Sequence, residues 1–182
     1  MEFKKITAGK NIPKEINVLV EIPQGSSVKY ELDKEAGLMV VDRFIHASSV
    51  YPYNYGFIPH SLSEDGDPLD VLVISSQPVE SGVVIRSRPV GLLQMEDEKG
   101  IDTKIIAVPV EDVDPFFAHI QDINDVDKAT KDKIKFFFMR YKELDKNRWS
   151  KVRNFENRES AYSEIKKSVD REKKRKKKGK KK

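Results

Sequence analysis

Asp65-Gly66-Asp67-Pro68-Leu69-Asp70-Val71-Leu72-Val73-Ile74 sets three carboxylates, a glycine and a proline directly before four apolar residues. Gly66 and Pro68 exclude a regular helix, so the acidic half reads as a turn or loop. The apolar half, Asp70 to Ser75, reads as a central strand. Three carboxylates within six residues repel one another unless something positive neutralises them. Hard divalent cations, which take oxygen ligands, are the usual answer. A solvated acidic turn is the other reading of the same residues. An EF-hand is excluded, because the twelfth position counted from Asp65 is Ser76 and not Glu.

Outward from this run, residues 16–110 read mainly as β. Ile16 to Ile22 is an apolar run stopped by the turn signal Pro23-Gln24-Gly25. Val28 to Leu32 alternates, which puts Lys29 and Glu31 on one face and Val28, Tyr30 and Leu32 on the other. Leu38 to Phe44 reads as a strand. Val83 to Met95 is interrupted by Pro89, which predicts a bend or two strands. Asp102 to Val108 alternates again. The remainder reads as helical. Val126 to Leu144 carries Ile134, Phe137, Phe138 and Tyr141 at helical spacing, with Asp125 or Asp127 as cap. Asn157 caps a last helix striped by Ala161, Ile165 and Val169. The pattern predicts an α+β protein, mainly β, with a small closed barrel flanked by two main helices.

The length of 182 residues suits one domain with a substantial core. Charged residues make up 35% and no apolar run approaches the ~20 residues that span a bilayer. The opening Met1-Glu2-Phe3-Lys4-Lys5 has no apolar signal core, so a cytoplasmic protein without a membrane segment is expected. Cysteine is absent, which excludes disulfides, thiolate metal sites and cysteine nucleophiles. The net charge of +4 conceals an asymmetry. Lys173 to Lys182 holds nine Lys and Arg, and without it 25 basic residues face 30 acidic ones, a formal charge of −5. A body of that sign is not built for a polyanionic duplex.

A second acidic cluster, Glu96-Asp97-Glu98 with Asp102 beyond Gly100, reads as a hairpin tip. Asp102 and Lys104 point the same way on an alternating strand, and Lys29 and Glu31 repeat the theme in the opposite order. Cations beside metal-binding carboxylates are what a phosphate substrate with a bound divalent ion requires. Tyr51, Tyr53 and Tyr55 alternate, either as core aromatics or as phenols donating into a polar pocket. Tyr141-Lys142 supplies another phenol and ammonium, and Arg43 a guanidinium suited to phosphate. His46, His60 and His119 are scattered without ligand spacing, so no catalytic role is assigned to them. No Gly-x-Ser-x-Gly, Walker or Gly-x-Gly-x-x-Gly motif occurs.

The order and spacing of Asp65-Gly66-Asp67-Pro68-Leu69-Asp70-Val71-Leu72-Val73 resemble the signature of family I soluble inorganic pyrophosphatases. The resemblance extends through Glu21, Lys29-Tyr30-Glu31, Arg43, Tyr51 to Gly56, Asp97, Asp102, Lys104 and Tyr141-Lys142, covering about residues 3–170. It implies a five-stranded OB-like barrel and magnesium-dependent hydrolysis of pyrophosphate to two orthophosphates. Asp65, Asp70, Asp97, Asp102 and Glu31 would hold several Mg2+ ions. Asp67 would be the general base. Lys29, Arg43, Tyr55, Lys104, Tyr141 and Lys142 would contact phosphate, with Glu21 and Tyr51 in the same pocket. A homo-oligomer is implied, a hexamer with a dimer as the alternative.

The departure from the family pattern is the Lys-rich end. Residues 1–172 read as a single catalytic domain and 173–182 as a basic tail, with a frayed helix end followed by disorder. A solvated extension, or weak contact with polyanions, are the readings of that tail. From another class, a nucleic-acid-binding barrel is the rival, which the acidic body and mixed-sign strand faces oppose.

Overall fold

The computed structural model describes residues 5–179. Among them the elements are β1 (Ile16–Ile22), β2 (Val28–Asp33), β3 (Leu38–Phe44), β4 (Asn54–Phe57), β5 (Asp70–Val73), β6 (Val84–Asp97), β7 (Gly100–Ile101), β8 (Lys104–Pro109), α1 (Lys128–Arg140), β9 (Ser150–Glu156) and α2 (Arg158–Gly179). Five pairings return on themselves. β1 pairs with β4, β4 with β5, β5 with β8, β8 with β6, and β6 with β1. Only β5–β8 is parallel. The β2–β3 hairpin forms a separate two-stranded sheet, while β7 and β9 extend the far end of β6. The chain is therefore mainly β with two helices, as its pattern predicts.

After Asp70, β5 is apolar without a break because both of its faces are buried there. Val71 and Val73 join Ile105 and Ala107 of β8 under Ala161 and Ile165 of α2. Leu72 joins Ile106 and Val108 under Ile134, Phe137 and Phe138 of α1. One helix thus covers each face, and every fully buried aliphatic side chain contributes about 1.5–3 kcal/mol. The ring closes tightly at Gly56, where a Cβ would lie 1.9 Å from the Leu19 carbonyl oxygen.

Several boundaries differ from expectation for local reasons. Pro89 neither ends nor splits β6; the register with β8 slips between Pro89 and Gly91, which absorbs the missing donor in a bulge. β4 hides in the tyrosine run, and β9 lies in a segment expected to be helical. β9 pairs Val152 with Met95 and Phe155 with Leu93, while its lysine and arginine face outward. α1 is shorter than its apolar spacing suggested. Of the two candidate caps, Asp127 takes the Thr130 amide at 2.8 Å, and Asp125 closes a capping box with Asp122 one turn earlier. Asn157 caps α2 through the Ser160 amide at 3.0 Å. α2 runs on to Gly179, beyond the frayed end expected from residue 173, with Glu172 pairing to Arg175 and Lys176. Residues 180–182 of the tail lie outside the described residues. Among the described residues no helix is long and apolar enough to cross a membrane.

Candidate active site

The parallel pair β5–β8 sets the centre of the site. Its register joins Val71 to Ile105 and Leu72 to Ile106. One step earlier the same offset puts Asp70 beside Lys104. The Lys104 ammonium donates to Asp70 Oδ2 at 2.5 Å and also to Asp102. The acidic turn enters β5 just above. Gly66 takes a φ of +91°, which a residue with a side chain rarely adopts. This lets the Asp67 amide donate to Asp65 Oδ1 at 3.0 Å and the Ser63 amide to the Asp67 carbonyl at 2.7 Å. The Asp67 carboxylate stays half exposed, 3.4 Å from Lys99 Nζ.

The β6–β7 hairpin brings a second acidic group, as the sequence predicted. Lys142, just beyond α1, donates to Asp97 at 2.8 Å and to Glu98 at 3.1 Å. In the β2–β3 hairpin Lys29 lies directly opposite Arg43. Both cations meet Asp42, at 3.1 and 2.6 Å, and Lys29 also meets Glu31. Glu21 accepts the Leu32 amide at 3.0 Å and ties β1 to β2.

Three phenols stand on the aromatic face of α1. Tyr51 and Tyr141 pack on Phe137 with ring centroids 4.7 and 5.1 Å away, and Tyr55 lies 6.3 Å from Phe138. Packing of this kind fixes rings and aims hydroxyls. The core reading of Tyr51 and Tyr55 holds, since their rings are buried in the core, and both residues also line the pocket. Tyr53 turns away and meets Thr130 at 3.3 Å.

All fourteen predicted site residues line one cavity of about 480 Å3. Sequence reasoning missed Asp42, Lys99 and Arg148, which line it too. Asp42 was legible in principle: it adjoins Arg43 on a strand whose partner carries Lys29. Lys99 and Arg148 sit in turns, where spacing gives no direction. His46, His60 and His119 are not among the lining residues.

Nine carboxylates and seven cations line this cavity, so negative charge is in excess. Burial and the nearest charges set the titration directions. Burial pushes Glu21 up to about 8, helped by nearby Asp70 and opposed by the Leu32 hydrogen bond. Asp65 is raised by burial and by Asp102 and Asp67. Asp102 is raised by burial and Asp70, against the pull of Lys104. Burial alone would lower Lys104, but Asp70 and Asp102 hold it firmly protonated. Burial raises Tyr51, Tyr55 and Tyr141, so each phenol keeps its donor proton. Asp97 is kept low, because Lys142 and the Lys99 amide outweigh its burial.

Asp65, Asp70, Asp97, Asp102 and Glu31 offer only oxygen, the donor set hard divalent ions take. Their surplus charge fits such an ion. Among the described residues no three acidic or histidine side chains already converge as a ligand set. Lys104 bridges Asp70 and Asp102 instead.

A family model described as inorganic pyrophosphatase matches residues 18–173. The inorganic pyrophosphatase of Aquifex pyrophilus is 51% identical over 174 residues, 96% of this chain and 98% of that protein. That of Saccharolobus solfataricus is 48% identical over 169 residues, 93% of this chain and 98% of its own. The crystal structure of inorganic pyrophosphatase from Thermus thermophilus superposes with a TM-score of 0.91 at 43% identity, covering 95% of this chain and 99% of that one.

Proposed function

The chain belongs to the inorganic pyrophosphatase family, and from this we propose that it hydrolyses pyrophosphate to two orthophosphates in the 480 Å3 cavity. The observation that carries the reading is the pairing of charges there. Lys29, Arg43, Lys104 and Lys142 each hold at least one carboxylate. A phosphate anion arriving with divalent ions can exchange partners with them. Its oxygens would take the ammonium and guanidinium groups and the freed carboxylates would be able to hold the ions, which leaves few charges unpaired.

The proposed cofactor is Mg2+, several ions per site, with Asp65, Asp70, Asp97, Asp102 and Glu31 as ligands, supplying charge neutralisation and Lewis acidity. The rest is the work of the chain. Lys29 and Arg43 on the β2–β3 hairpin, Lys104 on β8 and Lys142 beyond α1 hold the two phosphoryl groups. Tyr55 and Tyr141, kept protonated by burial, donate to phosphate oxygens. Asp67 is the general base that takes a proton from the attacking water, for which its half-exposed carboxylate has access to solvent. The same cations then offset the charge that grows on the leaving phosphate. Glu21 and Tyr51 complete the pocket. The five-strand ring is proposed to be an OB-like barrel with the site at its edge.

We also propose a cytoplasmic homo-oligomer, a hexamer in preference to a dimer. Phe136 and Met139 stand exposed on α1, and Leu38, Val40 and Phe44 stand exposed on β3, apolar surface suited to burial against further copies. The basic end of α2 would make only weak, salt-sensitive contact with polyanions.

The deciding assay is phosphate release from pyrophosphate with magnesium and then with excess chelator. Metal-dependent release is expected; its absence from folded protein ends the reading. Asp67→Asn should keep fold and metal binding while lowering kcat by about 10²-fold or more. Near-normal turnover would remove Asp67 from the base role.

A further inference from the structure

The turn that carries Asp65 and Asp67 is tied to α2 through both backbone groups of Leu62. The Leu62 amide donates to the Ser168 carbonyl at 3.0 Å, and the Leu62 carbonyl accepts from Arg171 Nη1 at 2.8 Å. The other arm of the guanidinium, Nη2, donates to Glu164 Oε1 at 2.7 Å and lies 3.6 Å from Glu64. The next residue continues the chain of bonds. Ser63 donates its amide to the Asp67 carbonyl at 2.7 Å and accepts the Gly66 amide at 3.3 Å.

Packing does little for the tip of this turn. A cavity of about 640 Å3 lies beside it, with Leu62, Gly66 and Pro68 in its wall. A Cβ placed on Gly66 would find nothing within 4 Å. Hydrogen bonds fix the base of the turn, from Leu62 to α2 and from the Leu69 amide to Ser61 Oγ at 2.8 Å. Arg171 itself does not line the catalytic cavity.

Resting on the pyrophosphatase reading, we propose that Arg171 is a positioning residue for hydrolysis: through the Leu62 carbonyl it holds the Ser63–Asp67 turn and so places Asp65 and Asp67 over the site. Its planar fork holds Leu62 and Glu164 together, which a lysine ammonium on a flexible stem does less well. A displacement of ~1 Å at a reacting group can lower a rate by about 10²-fold. Lys29, Arg43, Lys104 and Lys142, the groups that bind phosphate, sit on other elements and keep their places.

Arg171→Met and Arg171→Lys are compared with the unaltered full-length protein for kcat, KM, magnesium dependence and thermal unfolding. The methionine variant should lose about 10-fold or more in kcat. Its KM for pyrophosphate should stay within about threefold, since the phosphate-binding cations are untouched. Its half-saturating magnesium concentration should rise severalfold, because Asp65 shares the turn. The lysine variant should fall between the two. A folded methionine variant within twofold of the parent kcat, or one whose loss only tracks its unfolded fraction, overturns the inference. If the methionine variant does not fold, the lysine variant decides: lowered kcat at unchanged KM supports the role, and parental kcat refutes it. No phosphate release from the parent would sink the activity itself, which is a separate failure.

Discussion

Glu21→Gln should make the protein more stable as pH rises, and the size of the gain follows from burial. The Glu21 carboxyl is raised from its ordinary 4.5 to about 8, first by desolvation, with Asp70 adding and the Leu32 hydrogen bond subtracting. Between those values the folded chain keeps a proton that the unfolded chain has lost. Stability is therefore fully present below pH 4.5 and falls as pH climbs toward about 8. A rise of that size corresponds to a ceiling of ~5 kcal/mol. Water reaching the half-buried group relaxes part of it, so a loss of about 2–5 kcal/mol is expected. Glutamine still offers an oxygen to the Leu32 amide but carries no charge. Urea unfolding of both proteins at one protein concentration, in chelator, from mildly acid pH to pH 8 measures the difference. The variant's advantage should grow across that window with the slope m unchanged. Parallel curves would falsify the assignment of a desolvated carboxyl at Glu21.

Other substitutions probe separate parts of the same account. Lys104→Met strands Asp70 and Asp102 side by side and should cost about 3–5 kcal/mol in urea unfolding under chelator, with part recovered on adding magnesium; an unchanged midpoint would mean the ammonium does not bind the two strands together. Asp42→Asn releases Lys29 and Arg43 from their shared carboxylate, so product phosphate should inhibit severalfold more strongly, and equal inhibition constants would count against those cations as phosphate ligands. Gly56→Ala drives a methyl into the Leu19 carbonyl and should cost about 3 kcal/mol or prevent folding, seen as a lost cooperative melt; a melt within two degrees of the parent's would show that β1 and β4 can separate without cost.

Charge pattern and alternation carried much of this protein's organisation into its sequence. Asp65 to Asp70 announces a turn because Gly and Pro forbid helix, and three adjacent carboxylates call for a cation whatever the fold. Strands Ile16–Ile22 and Leu38–Phe44 are legible in full, because turn residues bound them. β9 was not, since its charged side chains face out and only its place beside β6 makes it a strand. Direction was lost in the same way. Period two puts Lys29 with Glu31 and Asp102 with Lys104, but it cannot say which strands meet. The offset of β5 against β8 decides that Lys104 serves Asp70, and the β2–β3 register decides that Lys29 and Arg43 share Asp42. Local sequence fixes what one segment can do, because backbone geometry repeats over a few residues. Which carboxylate meets which cation depends on pairings between residues far apart in the chain, and only the packed tertiary structure sets those.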